Sequence, residues 1–371
     1  MDAGATRRPR EGPESRRSEI LAPGIEHIEI RRGDFSAGRE TDRWVINILT
    51  LDPRRARIVS ALAMDEVVGP ETTSSIAVRH GALAAVNGGY FQTAGIVRGE
   101  PTGIYVLGDK VLSEPSRPRM ELAISNADGM AKLAISQVDF EASVVAGGRE
   151  RYAVNGINRA RREEELVVFT PEFHRTTLTS PGGIEITVRN GRVAAIAEDA
   201  GSQTIPADGY VLSASGKARA WAADYLRPGV RVAFDEKLVS SPPLPFRAEA
   251  ILGGGPHLIK DGHALGAAEA DAEGFSGPDF TVKRHPRTAA GTRRDGTIVL
   301  VTVDGRQPKI SVGMAVDELA SLMLELGCTD AINLDGGGST TMVVRGRVVN
   351  SPSDAAGERP VSDALLAFAR K

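Results

Sequence analysis

Two stretches near the C-terminus decide how the chain folds: Thr297-Ile298-Val299-Leu300-Val301-Thr302-Val303-Asp304-Gly305-Arg306, and Ala331-Ile332-Asn333-Leu334-Asp335-Gly336-Gly337-Gly338-Ser339-Thr340-Thr341. The first is apolar or β-branched up to Asp304, as in a strand buried on both faces. The second is a short apolar run that ends at Asp335, because a glycine triplet continues a strand poorly. Between them Leu319, Leu322, Met323 and Leu326 recur at i, i+3, i+4 and i+7, and Gly327 suits the position after a helix end. Residues 314–326 therefore read as an amphipathic helix. Strand, helix and strand joined by short links form a βαβ crossover, whose two strands run parallel. Parallel strands end on the same side, so Asp304 and Asp335 should meet at one sheet edge, where open sheets take ligands. For adjacent strands about 4.8 Å apart, the carboxyls would lie about 5–10 Å from each other, a range that covers both spacings used by paired-carboxylate glycosidases.

Upstream, residues 25–30, 44–49 and 56–60 alternate as strands do. Residues 71–80 read as a short helix with Thr72 or Thr73 as N-cap and Gly81 after its end. Residues 82–86 form another apolar strand that runs into Asn87-Gly88-Gly89-Tyr90-Phe91. The middle, residues 121–245, carries hairpin signals such as Asn190-Gly191, which favours a tight type I′ turn. The expected fold is α+β (mixed α/β): a β-rich core sheet, the βαβ unit, and an all-β insertion over 121–245. The insertion would divide a catalytic domain into 23–120 and 246–371. Residues 1–22 are rich in Arg, Glu, Pro and Gly up to Ile20 and read as a disordered tail.

Composition narrows the function. The chain has 371 residues, 41% hydrophobic and 25% charged, with a net charge of −3. That charge and balance give no reason to expect a nucleic-acid partner. A single cysteine, Cys328, excludes an internal disulfide and a cysteine-based metal cluster. No run of 18 apolar residues exists, so no transmembrane segment is expected. The first residues lack the apolar core of a signal peptide, which leaves the compartment and the oligomeric state open.

The Gly336–Ser339 loop has backbone N–H groups suited to an anion, but no Lys precedes the Ser as in a nucleotide loop. Arg287, beside Pro286, offers a fork for a phosphate or carboxylate. Arg306 follows Asp304 closely, and His285 is a candidate proton donor near neutral pH. His27, His80, His174, His257 and His263 are scattered without zinc-ligand spacing. No metal and no cofactor is expected; Ca²⁺ near the glycine loop stays open, without the EF-hand pattern. Ser339 lacks the flanking pattern of a nucleophile elbow.

Five motifs occur in order: Asn87-Gly88-Gly89-Tyr90-Phe91, Gly254-Gly255-Pro256, His285-Pro286-Arg287-Thr288-Ala289, Val303-Asp304-Gly305-Arg306 and Asn333-Leu334-Asp335-Gly336-Gly337-Gly338-Ser339. In this the chain resembles the phosphodiester glycosidase family, from about residue 82 to Arg359-Pro360. The resemblance implies hydrolysis of a sugar-1-phosphodiester to free sugar and phosphomonoester, on a bacterial-type glycopolymer or glycoconjugate outside the cytoplasm. On that basis Asp304, Asp335 and His285 are the expected catalytic residues. Asn87, Arg287, Thr288, Arg306, Asn333, Gly336, Gly337, Gly338 and Ser339 are expected to bind a carbohydrate or sugar-phosphate substrate. Two alternatives keep the fold: a glycosidase on an envelope polysaccharide without phosphate, and a glycan-binding module without catalysis.

Overall fold

The computed structural model describes residues 13–35, 42–116 and 118–370. Its spine is an eight-stranded sheet in the order Glu14–Ala22, Ile25–Gly33, Arg43–Leu51, Ile298–Val303, Arg287–Arg293, Cys328–Asn333, His257–Lys260 and His263–Ala264. Every neighbouring pair is antiparallel. One face packs on the helix Val316–Glu325 through Leu319, Leu322 and Met323, all fully buried. The other faces a core shared with three further sheets, where Leu51, Leu300 and Ile332 meet Val86, Tyr105, Leu122, Phe169 and Leu365. The fold is mixed α+β and β-rich. Among the described residues, no helix is long and apolar enough to cross a membrane.

The crossover is present with one difference. Ile298–Val303, the helix and Cys328–Asn333 follow in order, and the two strands run parallel, but Arg287–Arg293 lies between them, antiparallel to both. Their axes are thus two spacings apart, about 10 Å. The inserted strand has its own use. It starts at Arg287 on the edge where the other two end, so His285, Pro286 and Arg287 arrive beside Asp304 and Asp335.

Local signals are obeyed elsewhere. Thr72 caps the helix Thr73–Arg79, its hydroxyl accepting from Ser75 N at 3.3 Å. Asn190 and Gly191 both have positive φ between paired strands Ile184–Arg189 and Arg192–Glu198, as a type I′ turn requires.

Two expectations need correction. Glu14–Ala22, read as disordered tail, is an edge strand paired along Ile25–Gly33; residues 1–12 lie outside the described residues. Its side chains are mostly exposed. The strand is held by backbone pairing and by ion pairs such as Arg32–Glu14, so it lacks an apolar signature. The middle is not all-β, since Gly216–Tyr225 is a helix. It buries only Ala218 and Ala222, one turn apart, and so shows no stripe of large apolar residues. A seven-stranded sheet also joins Glu121–Ser125 and Lys132–Ala146 to Ala250–Gly253 and Tyr105–Leu107, across the expected boundaries at 120/121 and 245/246.

Candidate active site

A cleft of about 410 Å³ opens where Ile298–Val303 and Cys328–Asn333 end and Arg287–Arg293 begins. Tyr90, His285, Arg287, Arg306, Asn333, Asp335, Gly336, Gly337 and Arg359 line it. Two loops are laced together beneath it. Asp335 N donates to Gly88 O at 3.1 Å, and Asn87 Nδ2 donates to Asp335 O at 2.7 Å.

Asp335 is the carboxyl at the centre. Burial pushes its pKa up to about 6, against the opposing pull of the Ser339 hydroxyl, the Gly336 N–H and the positive charge of Arg359. Gly336 N donates to Oδ1 at 2.9 Å. The Ser339 hydroxyl is buried beside this carboxyl but meets no partner at hydrogen-bonding geometry.

Three arginines face the same space. Arg287 is nearly buried, its Nε donating to Met314 O at 2.9 Å and its Nη2 to Phe280 O at 2.6 Å. Burial lowers its pKa to about 10, with Arg306 adding to the fall. Arg306 Nε donates to His285 Nδ1 at 3.2 Å. Arg359 forms a bidentate pair with Asp354 at 2.7 and 3.0 Å, which leaves Nη1 without a hydrogen bond among the described residues. A rigid fork with free N–H groups suits a phosphate.

Tyr90 and Asn333 form the opposite wall. Tyr90 Oη donates to Gly255 O at 2.7 Å and accepts from Asn333 Nδ2 at 2.7 Å. Asn333 Nδ2 also reaches Gly255 O and Leu334 O, which fixes the amide's orientation and turns Oδ1 away from every protein donor. An unpaired buried acceptor is costly unless a ligand donor meets it.

Several expected site residues stand elsewhere. Asp304 is almost fully buried and lies outside the cleft. Its Oδ1 accepts from Asn350 Nδ2 at 2.9 Å, and both oxygens accept from Ser351 N at 3.0 Å. It ties the strand end to the 350–351 segment, so the expected carboxyl pair across the cleft is not formed. Burial raises its pKa to about 6. Asp304→Ala is accordingly expected to cost about 1–3 kcal/mol of stability by leaving Asn350 Nδ2 and Ser351 N without their acceptor, while kcat changes less than about tenfold. Thermal unfolding and turnover measured side by side check this.

Asn87 and Thr288 are buried braces, not cleft walls. Thr288 Oγ1 donates to Asn87 Oδ1 at 2.8 Å, which also accepts from Thr341 N. His285 does line the cleft, but both ring nitrogens are engaged, Nε2 with Asp279 O at 2.7 Å and Nδ1 with Arg306. These partners assign the proton to Nε2. Burial lowers the imidazole's pKa, and nearby Arg306, Arg287 and Lys283 act the same way. A neutral ring that accepts from Arg306 orients a cation and has no proton poised for substrate.

The glycine loop is also mostly occupied by itself. Gly336 N bonds to Asp335, Gly337 N to Pro286 O and Ser339 N to Gly336 O, so Gly338 is the only one of the four without such a bond. The loop's glycines serve close approach instead. A Cβ on Gly338 would lie 2.2 Å from both Arg359 Nη2 and Asp354 Oδ1. Tyr90 and Arg359 line the cleft although residue type alone gave neither a role. Tyr90 stands inside the Asn87–Phe91 motif, and Arg359 at the far edge of the resemblance.

The family model described as phosphodiester glycosidase matches residues 182–368. The chain belongs to the phosphodiester glycosidase family. Among similar proteins, a Bacillus subtilis prophage-derived uncharacterized protein, YomE, is 48% identical over 87 residues, which is 24% of this chain and 13% of that protein. The mouse N-acetylglucosamine-1-phosphodiester alpha-N-acetylglucosaminidase is 32% identical over 158 residues, 40% of this chain and 30% of that protein. The chain therefore matches less than a third of the length of either relative. A crystal structure of a Burkholderia pseudomallei protein superposes with a TM-score of 0.85 at 26% identity, covering 99% of each chain.

Proposed function

We propose that this chain hydrolyses a sugar-1-phosphodiester in the cleft around Asp335, releasing the free sugar and a phosphomonoester. The observation that carries the reading is the placing of one half-buried, unbridged carboxyl with three arginines in one cleft. A neutral glycoside gives three arginines nothing to hold, whereas a phosphodiester brings a charge next to an anomeric carbon.

Arg306 and Arg359 grip the phosphate oxygens, and Arg287 adds positive charge from the wall. Asn333 Oδ1 accepts a sugar hydroxyl. Asp335 works at the anomeric carbon, where its negative charge faces the oxocarbenium-like transition state. Water adds to that carbon and gives up one proton to solvent, the C–O bond to phosphate breaks, and the bonding electrons leave with the phosphate. A phosphomonoester is a weak base when it leaves, so protonation of the leaving oxygen contributes little. This agrees with a His285 that has no proton to give. A bacterial-type glycopolymer or glycoconjugate as the source of the ester is part of the same proposal.

The pH dependence has a definite sign. Asp335 must be ionised, and its carboxyl titrates at about 6. The acid limb of kcat/KM should therefore fall about tenfold per pH unit below about 6. Stability runs the other way. Asp304 and Asp335 both have pKa values raised above the unfolded value, so the unfolded chain loses protons first and stability declines as pH rises from about 4 to 6. A pH–rate profile on an N-acetylglucosamine-1-phosphate ester checks the first statement. A flat profile between pH 4 and 7 would remove Asp335 from the chemical step.

A further inference from the structure

A second cleft of about 390 Å³ lies against the first, and Arg359 belongs to the lining of both. Phe91, Thr93, Arg98, Glu358 and Pro360 shape it. Its charges are unevenly settled. Glu358 is held by Ser74, whose N and Oγ donate at 2.7 and 2.6 Å. Asp354 is held by Arg359. Arg98 is exposed, and its guanidinium makes no hydrogen bond or ion pair among the described residues, although its backbone is fixed by Gly69 N and Gly95 O. The second cleft thus presents a nearly buried Phe91 ring, a proline and one cation without an ion-pair partner among the described residues, while the Glu358 carboxylate is turned onto Ser74.

We infer that this second cleft holds the alcohol part of the substrate, on the far side of the phosphate from the sugar, and that Arg98 selects alcohols carrying a further negative charge. The inference rests on the function proposed above. If the phosphate sits at Arg306 and Arg359, the sugar occupies the side of Asp335 and Asn333, and the esterified alcohol continues past Arg359, the residue that both clefts share. There Phe91 and Pro360 pack its carbon skeleton, and Arg98 meets its anion. The substrate class is then a sugar-1-phosphodiester of an anionic alcohol.

The test compares two esters of N-acetylglucosamine 1-phosphate, one with glycerol and one with glycerol 3-phosphate, on wild type, Arg98→Ala and Arg98→Glu. Arg98→Ala removes a charge-assisted hydrogen bond in an open site, so KM for the phosphorylated ester should rise about tenfold. Arg98→Glu should raise it further, and kcat should hold. KM for the glycerol ester should stay within about twofold in both variants. Equal effects on both esters, or none on either, would overturn the subsite while leaving the proposed hydrolysis standing. Failure of wild type to cleave both esters would overturn the hydrolysis, and the subsite with it.

Discussion

Asp335→Asn is expected to lower kcat on a sugar-1-phosphodiester by about 10²- to 10³-fold, the range that one preorganised electrostatic contact with the transition state contributes. The asparagine keeps the size of the side chain and one oxygen to accept from Gly336 N, so the loop should stay in place. What disappears is the negative charge at the anomeric carbon. Because burial already disfavours that charge in the free protein, the substitution should not lower the melting temperature and should raise it slightly near neutral pH. Loss of turnover with retained stability separates a chemical role from a structural one. Asp304→Ala has the opposite signature, losing stability and keeping turnover, and the contrast between the two is sharper than either result alone.

Gly338→Ala is the second large effect. The new methyl would collide with Arg359 Nη2 and Asp354 Oδ1, and Arg359 is one of the two arginines proposed to grip the phosphate. The ion pair must shift to admit the methyl. A displacement of about 1 Å in a positioning group costs on the order of 10²-fold in rate. We expect kcat/KM to fall by about that factor, with inorganic phosphate becoming a weaker inhibitor in parallel. The Gly338 φ is not in the left-handed region, so the fall would arise from steric collision and not from backbone strain. Unchanged phosphate inhibition would show that Arg359 does not hold the anion.

Much of the frame was legible because it rests on local rules. The apolar run 297–303, the leucine stripe and the Asn190-Gly191 turn each obey a short-range pattern, and each formed. The edge strand Glu14–Ala22 and the helix Gly216–Tyr225 did not show, because neither buries a row of large apolar side chains. The interposed Arg287–Arg293 strand was hidden for another reason. A crossover fixes the direction of two strands but not what fits between them.

The site divided along similar lines. Sequence brought Asp335, Asn333, Arg287, Arg306 and His285 to one place, and all five line the cleft. It could not say whose polar atoms were already in use. Asp304 holds Asn350 and Ser351, Asn87 holds Asp335 O, Thr288 holds Asn87, and His285 holds Arg306. Residue type gives the chemistry a side chain can do, whereas its partners decide whether it is free to do it. Arg359 was hidden for the complementary reason. Its role comes from close approach to the loop 21 positions earlier in the chain, through Gly338, which no spacing rule anticipates.

The central claim is that bond cleavage occurs at the anomeric carbon, with Asp335 facing it and the arginines retaining the phosphate. Hydrolysis of an N-acetylglucosamine-1-phosphate ester in ¹⁸O-enriched water tests this most directly. The account predicts that the label appears in the released sugar and that the phosphomonoester carries none. Label in the phosphate would mean that water attacks phosphorus, which would contradict it.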